Sequence, residues 1–400
     1  MNKLYIRTAY IYLIILAILG VILRSFALID IHLNFKFILH THSHIAFLGW
    51  VYSALFAIYI DLFSTGSLES SKKYRIQFIS IQIVNLGMLI SFPIQGYALF
   101  SIIFSTLHII IYYWFARTIY LDIKGNSTIH TLTKKFANAS LLFLIVSSVG
   151  PFVLPVMIKL YGTGSNQYFN TIYYYLHFQY NGWFTFSILA FVLRSMELKG
   201  IIFDTCILKK VFATLFYSTF LILFLSFLWT KPSGVLYAAA GIGSCMQVIF
   251  LFFLYKLFST LINAKSYKTK PISKNILKII IVCLISKILF QCIGSIPYFA
   301  NLSYEIRNFM IGYLHLFLIG VITLSIVFIC IENDYFNSSK RFRIVIYLFL
   351  IGFLASEFLI FSQGIAIWMS KNGIPSYNTS LIAFSLLMML VSSLLYSKLK

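Results

Sequence analysis

The chain has 400 residues, 60% of them apolar and only 10% charged, with 31 Lys and Arg against 10 Asp and Glu. A soluble chain carries about 25% charge and a membrane-crossing helix takes about 20 apolar residues, so this apolar content corresponds to about twelve spans. A soluble enzyme, a fibrous or disordered chain and an outer-membrane barrel, whose strands alternate apolar and polar residues, are excluded. The expected class is an all-α polytopic membrane protein, a single integral membrane domain over 1–400.

In chain order the apolar runs predict spans at 8–28, 42–62, 76–94, 97–118, 137–158, 172–193, 211–229, 234–256, 277–297, 308–331, 343–365 and 379–397. The first follows Lys3 and Arg7 and reads as a retained helix: it is long for a signal-peptide core and has no small-residue cleavage site. The second opens with HTHSHIAFLGW. If this entry is helical, His40 and His44 share a face and His42 points away; if it is extended, all three line one side. The fourth carries His108 near its middle, and Gly150, Pro151 and Pro155 are expected to kink the fifth.

The sixth span contains YLHFQYNGWF, which places Tyr180 and Asn181 one turn deeper than His177. The seventh has no histidine. Lys287 lies mid-span in the ninth. GYLHLFLIG in the tenth sets His315 between Gly312 and Gly320, and glycine permits close approach of a flat ligand or a neighbouring helix. Glu357 lies inside the eleventh, where a carboxyl group must be paired or protonated; Lys287 is a candidate partner. Gln179, Gln247, Gln291 and Gln363 read as interhelical hydrogen-bonders. The five cysteines form no C-x-x-C pair and read as small hydrophobes.

Basic residues set the orientation. With loops assigned alternately, 24 Lys and Arg fall on the side of both termini and 6 on the other, and Lys287 completes the 31. Both termini are therefore expected in the cytoplasm, with the protein multi-pass in the inner membrane and the lipid bilayer as its surroundings. The charge is confined to short loops, so nucleic acid is not an expected partner. No Gly-rich phosphate loop, G-x-S-x-G or H-E-x-x-H is present, and no catalytic set emerges.

Ionisable and metal-capable groups inside a bilayer are costly and point to function. His44, His177 and His315 enter their spans at depths that differ by roughly 8 Å at 1.5 Å per residue. Three distant helices thus present imidazoles in one layer, close to the face opposite the termini. Neutral imidazole is the commonest metal ligand, and histidines on facing helices can hold a haem iron. Interhelical hydrogen bonding and a proton or substrate path remain open alternatives for the same residues.

Twelve helices with histidines at one end of spans 2, 6 and 10 resemble the catalytic subunit of haem–copper oxidases. The HxH…LGW and GYLH segments resemble the related NnrS-type haem and copper membrane proteins. In the oxidase family a helix-2 histidine ligates low-spin haem, matched here by His44 or His42, and a helix-6 histidine ligates copper, matched by His177. Helix 10 carries a His-x-His, of which His315 is present with Phe317 in the second place. The helix-7 histidine pair has no counterpart in 211–229. The tyrosine four residues after the helix-6 histidine is replaced by Asn181, with Tyr180 one position early.

The resemblance therefore implies a haem, of b type, held by His44 and His315, with His42 beside it. It also implies a second site for copper or a small molecule around His177 and Asn181, with His108 and His40 as further ligand candidates. The oxygen-reducing centre is incomplete. Electron transfer, redox sensing or metal handling with a membrane or periplasmic redox partner is the expected function. A twelve-helix secondary transporter or lipid-linked saccharide flippase, dependent on Glu357 and Lys287, is the alternative.

Overall fold

The computed structural model describes residues 3–263, 270–337, 339–370 and 373–400. Lys265, Lys268 and Lys371, counted in the charge division, lie outside the described residues. Among the described residues the chain is helical throughout, apart from loops and an isolated Phe336–Leu399 bridge. In hydrocarbon every backbone N–H and C=O must be satisfied within the chain, and a helix does this locally.

Twelve long helical runs follow one another among the described residues. They are α1 (Lys3–Ser25), α2 (Phe35–Phe63), α3 (Ser71–Gln95), α4 (Leu99–Gly125), α5 (Thr131–Tyr161), α6 (166–197), α7 (Thr205–Thr230), α8 (Gly234–Ser259), α9 (Pro271–Gly294), α10 (Arg307–Glu332), α11 (Lys340–Trp368) and α12 (Tyr377–Tyr396). A short helix, Pro297–Glu305, precedes α10. Eleven of the twelve are long and apolar enough to cross a membrane. The run not among them is α6, diluted by Asn166, Gln167, Asn170, Gln179 and Asn181. The protein is a multi-pass helical membrane protein.

Exposed side chains show where lipid belongs. On α3, Ile76, Ile79, Ile83, Leu86, Ile90 and Ile94 form an exposed stripe at helical spacing, while Phe78, Ile81, Met88 and Phe92 are buried on the other side. In water such a stripe would be an exposed apolar patch of the kind soluble monomers avoid; in a bilayer it faces acyl chains. By contrast α2 and α10 are mostly buried, and every residue of Phe178–Phe184 in α6 is buried. The three helices that carry the histidines therefore place much of their polar content against protein.

The chain divides into two compact units, one of Met1–Asn126 with Cys330–Lys400 and one of Ser127–Ile329. In the first, α1 packs on α2 and α12, α11 on α12, and α3 on α4. Its chain ends are tied together. Arg7 Nη2 donates to the Leu399 carbonyl at 3.1 Å, the Lys400 amide donates to the Tyr335 carbonyl at 2.9 Å, and the Tyr335 hydroxyl donates to Asp61.

In the second unit α5 packs on α6, α7 on α8 and α9 on α10. The α5 helix is interrupted at Ser148 and resumes at Val149, next to Gly150, Pro151 and Pro155, where the kink was expected. A Cβ on Gly150 would lie 2.9 Å from the Thr171 carbonyl oxygen, so glycine is what lets α6 come this close. A buried ion pair of Arg194 with Glu197 (3.2 Å), with Arg194 also donating to the Thr128 carbonyl and hydroxyl at 3.0 Å, fastens α6 to the start of α5.

Candidate functional site

Three π-helical turns occur among the described residues, at Ile45–Val51, Phe178–Phe184 and Leu318–Thr323. The first two begin at the residue after His44 and His177, and the third begins three residues after His315. A π-turn widens the helix by one residue per turn, frees carbonyls from the regular ladder and is found most often at functional sites. The freed groups are used: the Thr185 hydroxyl donates to the Tyr180 carbonyl at 2.7 Å. The sequence carries a signal for this pattern in a glycine five residues after each histidine (Gly49, Gly182, Gly320), followed by tryptophan in the first two cases.

In the first unit the entry to α2 is helical, so His40 and His44 share a face. His44 Nδ1 lies 2.9 Å from the His40 carbonyl oxygen and therefore carries the proton. Nε2 is left as the acceptor of the Tyr97 hydroxyl at 3.3 Å, and Tyr97 must release it before it can serve as a ligand atom. Fixing one ring nitrogen on a backbone carbonyl, so that the other is presented as a base, is the usual outer-shell arrangement of a metal-ligating histidine. Phe92 lies against the His44 ring (centroids 4.1 Å) and Tyr97 stacks edge-on to His40 (4.6 Å). Sequence reasoning did not find Tyr97, because nothing local links it to α2.

His42 points the other way, toward α1. A Cβ on Gly20 would lie 3.5 Å from His42 Cε1. His108 is fully buried in α4 against Tyr52 (centroids 4.7 Å), with neither ring nitrogen in a well-formed hydrogen bond. The Leu48 backbone runs beside it and His44 is within electrostatic reach. His108 thus belongs to the unit of His44 and has its neighbours there. Glu357, buried in α11, has Arg24 of α1 as its charged neighbour. Arg24 also donates to Ser385 and, at 3.3 Å, to the Leu381 carbonyl.

In the second unit His177 is buried and held at both nitrogens. Nε2 donates to the Thr219 carbonyl of α7 at 2.8 Å, and Nδ1 accepts from Asn181 Nδ2 at 3.2 Å. Only Nδ1 is therefore a potential ligand atom, and Asn181 must release it first. His315 sits on α10, three residues before its π-turn. Tyr180 packs on Phe317 (centroids 5.5 Å), and Lys287 Nζ lies 5.4 Å from the centroid of the same ring.

The expected interhelical glutamines are found. Gln179 donates to Ser147 and Gln247 to Ser218, both at 2.9 Å, and Gln291 faces Tyr313. Gln363 instead accepts from the Ile374 amide in the following loop, at 2.8 Å. All five cysteines are free thiols. Among the described residues no three His, Cys, Asp or Glu side chains converge into a metal-holding group.

No protein-family model and no curated protein matches the chain.

Proposed function

We propose that this protein binds haem, whose iron His44 Nε2 would hold, and works in electron transfer, redox sensing or metal handling. The observation that supports the reading is the preset imidazole: Nδ1–H on the His40 carbonyl, Nε2 presented as a base, and a π-turn immediately behind. His108, buried without a well-formed hydrogen bond at either nitrogen, adds a second imidazole in the same unit. The donor set suits a group that brings its own equatorial nitrogens. A porphyrin iron asks the protein for one or two axial ligands, whereas a copper ion held only by side chains needs a cluster that the described residues do not form. Bound there, a haem would supply one-electron redox chemistry.

The uneven division of Lys and Arg supports twelve crossings, an inner-membrane location and cytoplasmic termini. That orientation puts His44 toward the opposite face, within reach of a membrane or periplasmic redox partner. In detergent-purified protein from haem-replete cells, a Soret band is expected. It should be lost in His44→Ala and kept in His32→Ala, whose side chain is exposed. Colourless wild-type protein would overturn the reading.

Glu357, buried within the membrane helices and within electrostatic reach of the half-buried Arg24, which donates to Ser385, favours a second reading as a secondary transporter or lipid-linked saccharide flippase. That reading requires transport abolished by Glu357→Gln with the histidines dispensable.

A further inference from the structure

Lys287 sits on α9 within the membrane, 3% exposed, and no carboxylate among the described residues lies within ion-pairing distance of its ammonium group. A charge in hydrocarbon normally faces a partner or water. Near it lie the Phe317 ring, 5.4 Å from Nζ to the centroid, and His177, which is satisfied by Thr219 and Asn181. A ring face meets one side of an ammonium that has three donors to place.

Around it the second unit gathers groups suited to a headgroup. Gln291 lies one turn beyond Lys287 on the same helix face. It faces Tyr313 and keeps a buried carbonyl oxygen with no donor. Tyr180, packed on Phe317, is within electrostatic reach of Tyr313. Asn181 likewise keeps a buried, unpartnered oxygen. One lysine amine without a carboxylate partner, two phenols, two open acceptors and aromatic walls thus come together on α6, α9 and α10.

We propose that Lys287, with Phe317, Tyr180, Tyr313 and Gln291, forms a binding site for the carboxylate head of an apolar ligand. The carboxylate takes the ammonium donors, the open amide oxygens accept from water or a hydroxyl that comes with the head, and the apolar body lies along the rings. Two sources share this chemistry: a membrane fatty acid and the propionate of a porphyrin bound within this unit. Neither depends on a haem held at His44.

The test uses full-length haem-free protein in detergent and two probe pairs, dibrominated stearic acid against its methyl ester and haemin against its dimethyl ester. Binding is read by quenching of tryptophan fluorescence. A charge-assisted hydrogen bond predicts that the free acid of at least one pair binds about 10- to 100-fold more tightly than its ester. Lys287→Met should remove that preference and Lys287→Arg should keep it. A preference confined to one pair identifies the source and upholds the site. Equal binding of acid and ester in both pairs to the wild type overturns the proposal, as does a folded Lys287→Met protein that keeps the preference. The His44→Ala protein separates the two readings, since loss of its Soret band leaves the stearate preference unchanged.

Discussion

Gly182 lies in the π-turn behind His177, and the structure puts a definite value on its missing side chain. A Cβ there would fall 2.5 Å from Phe143 Cβ and 2.6 Å from Cγ. Phe143 Cβ is fixed to the α5 backbone and cannot swing aside by changing rotamer, so Gly182→Ala must push α5 and α6 apart. Overpacking of this kind costs about 1–3 kcal/mol, and the gain of alanine over glycine within a helix, about 0.5–1 kcal/mol, offsets only part of it. Gly20 on α1 is the matched control, because its added Cβ would meet His42 at 3.5 Å, an ordinary contact. Gly20→Ala should therefore gain the helical preference with no steric cost. Because the helical gain is common to both, the two variants should differ by the overpacking cost, about 1–3 kcal/mol. At about 2–4 °C per kcal/mol for units of this size, that is a separation of about 2–12 °C in melting temperature. Thermal unfolding in one detergent can be followed with a thiol-reactive dye, since Cys283 and Cys330 are buried, one in each unit. If Gly182→Ala melts at or above the wild type, or Gly20→Ala melts below it, the reasoning from close helix approach fails.

Other consequences can be measured on the same preparation. Arg194→Met leaves Glu197 buried without its partner and should cost about 3–5 kcal/mol. Adding Glu197→Gln should recover part of this, and a double-mutant cycle on melting temperature checks the coupling. Tyr335, in the loop between α10 and α11, is held protonated well above the usual phenol range, by burial first and then by the Asp61 carboxylate and the hydrogen bond to it. The folded state keeps that proton longer than the unfolded state does. Its contribution should be fully present below a pH of about 10 and decline as pH rises beyond that; Tyr335→Phe should flatten this alkaline limb in a stability–pH series. Finally, if α6 crosses the bilayer as α5 does, reporters inserted after Asn126 and after Lys199 must label from the same side. Labelling from opposite sides would give eleven crossings and undo the charge argument for the termini.

Helix content, the approximate spans and the residues lodged inside the membrane could all be read from the sequence, because a bilayer forces each crossing segment to satisfy its own backbone and to be apolar over a known length. Relations within one helix were legible for the same reason, such as Asn181 one turn from His177, and prolines marked the break near Pro151; that His40 and His44 share a face was left open until the entry to α2 proved helical. What tertiary structure decided is which way each helix turns toward its neighbours. Glu357 faces Arg24, Lys287 faces Phe317, His108 sits beside Tyr52, and Thr219 takes the Nε2 proton of His177. It also decided the ligand atom of His44, through a helical turn that brings the His40 carbonyl to Nδ1 and leaves Nε2 toward Tyr97 of a later segment. Rotation and close approach between helices are set by the interlocking of side chains far apart in the chain, as Gly182 against Phe143 shows. A linear hydropathy pattern, which reads one helix at a time, holds no term for that.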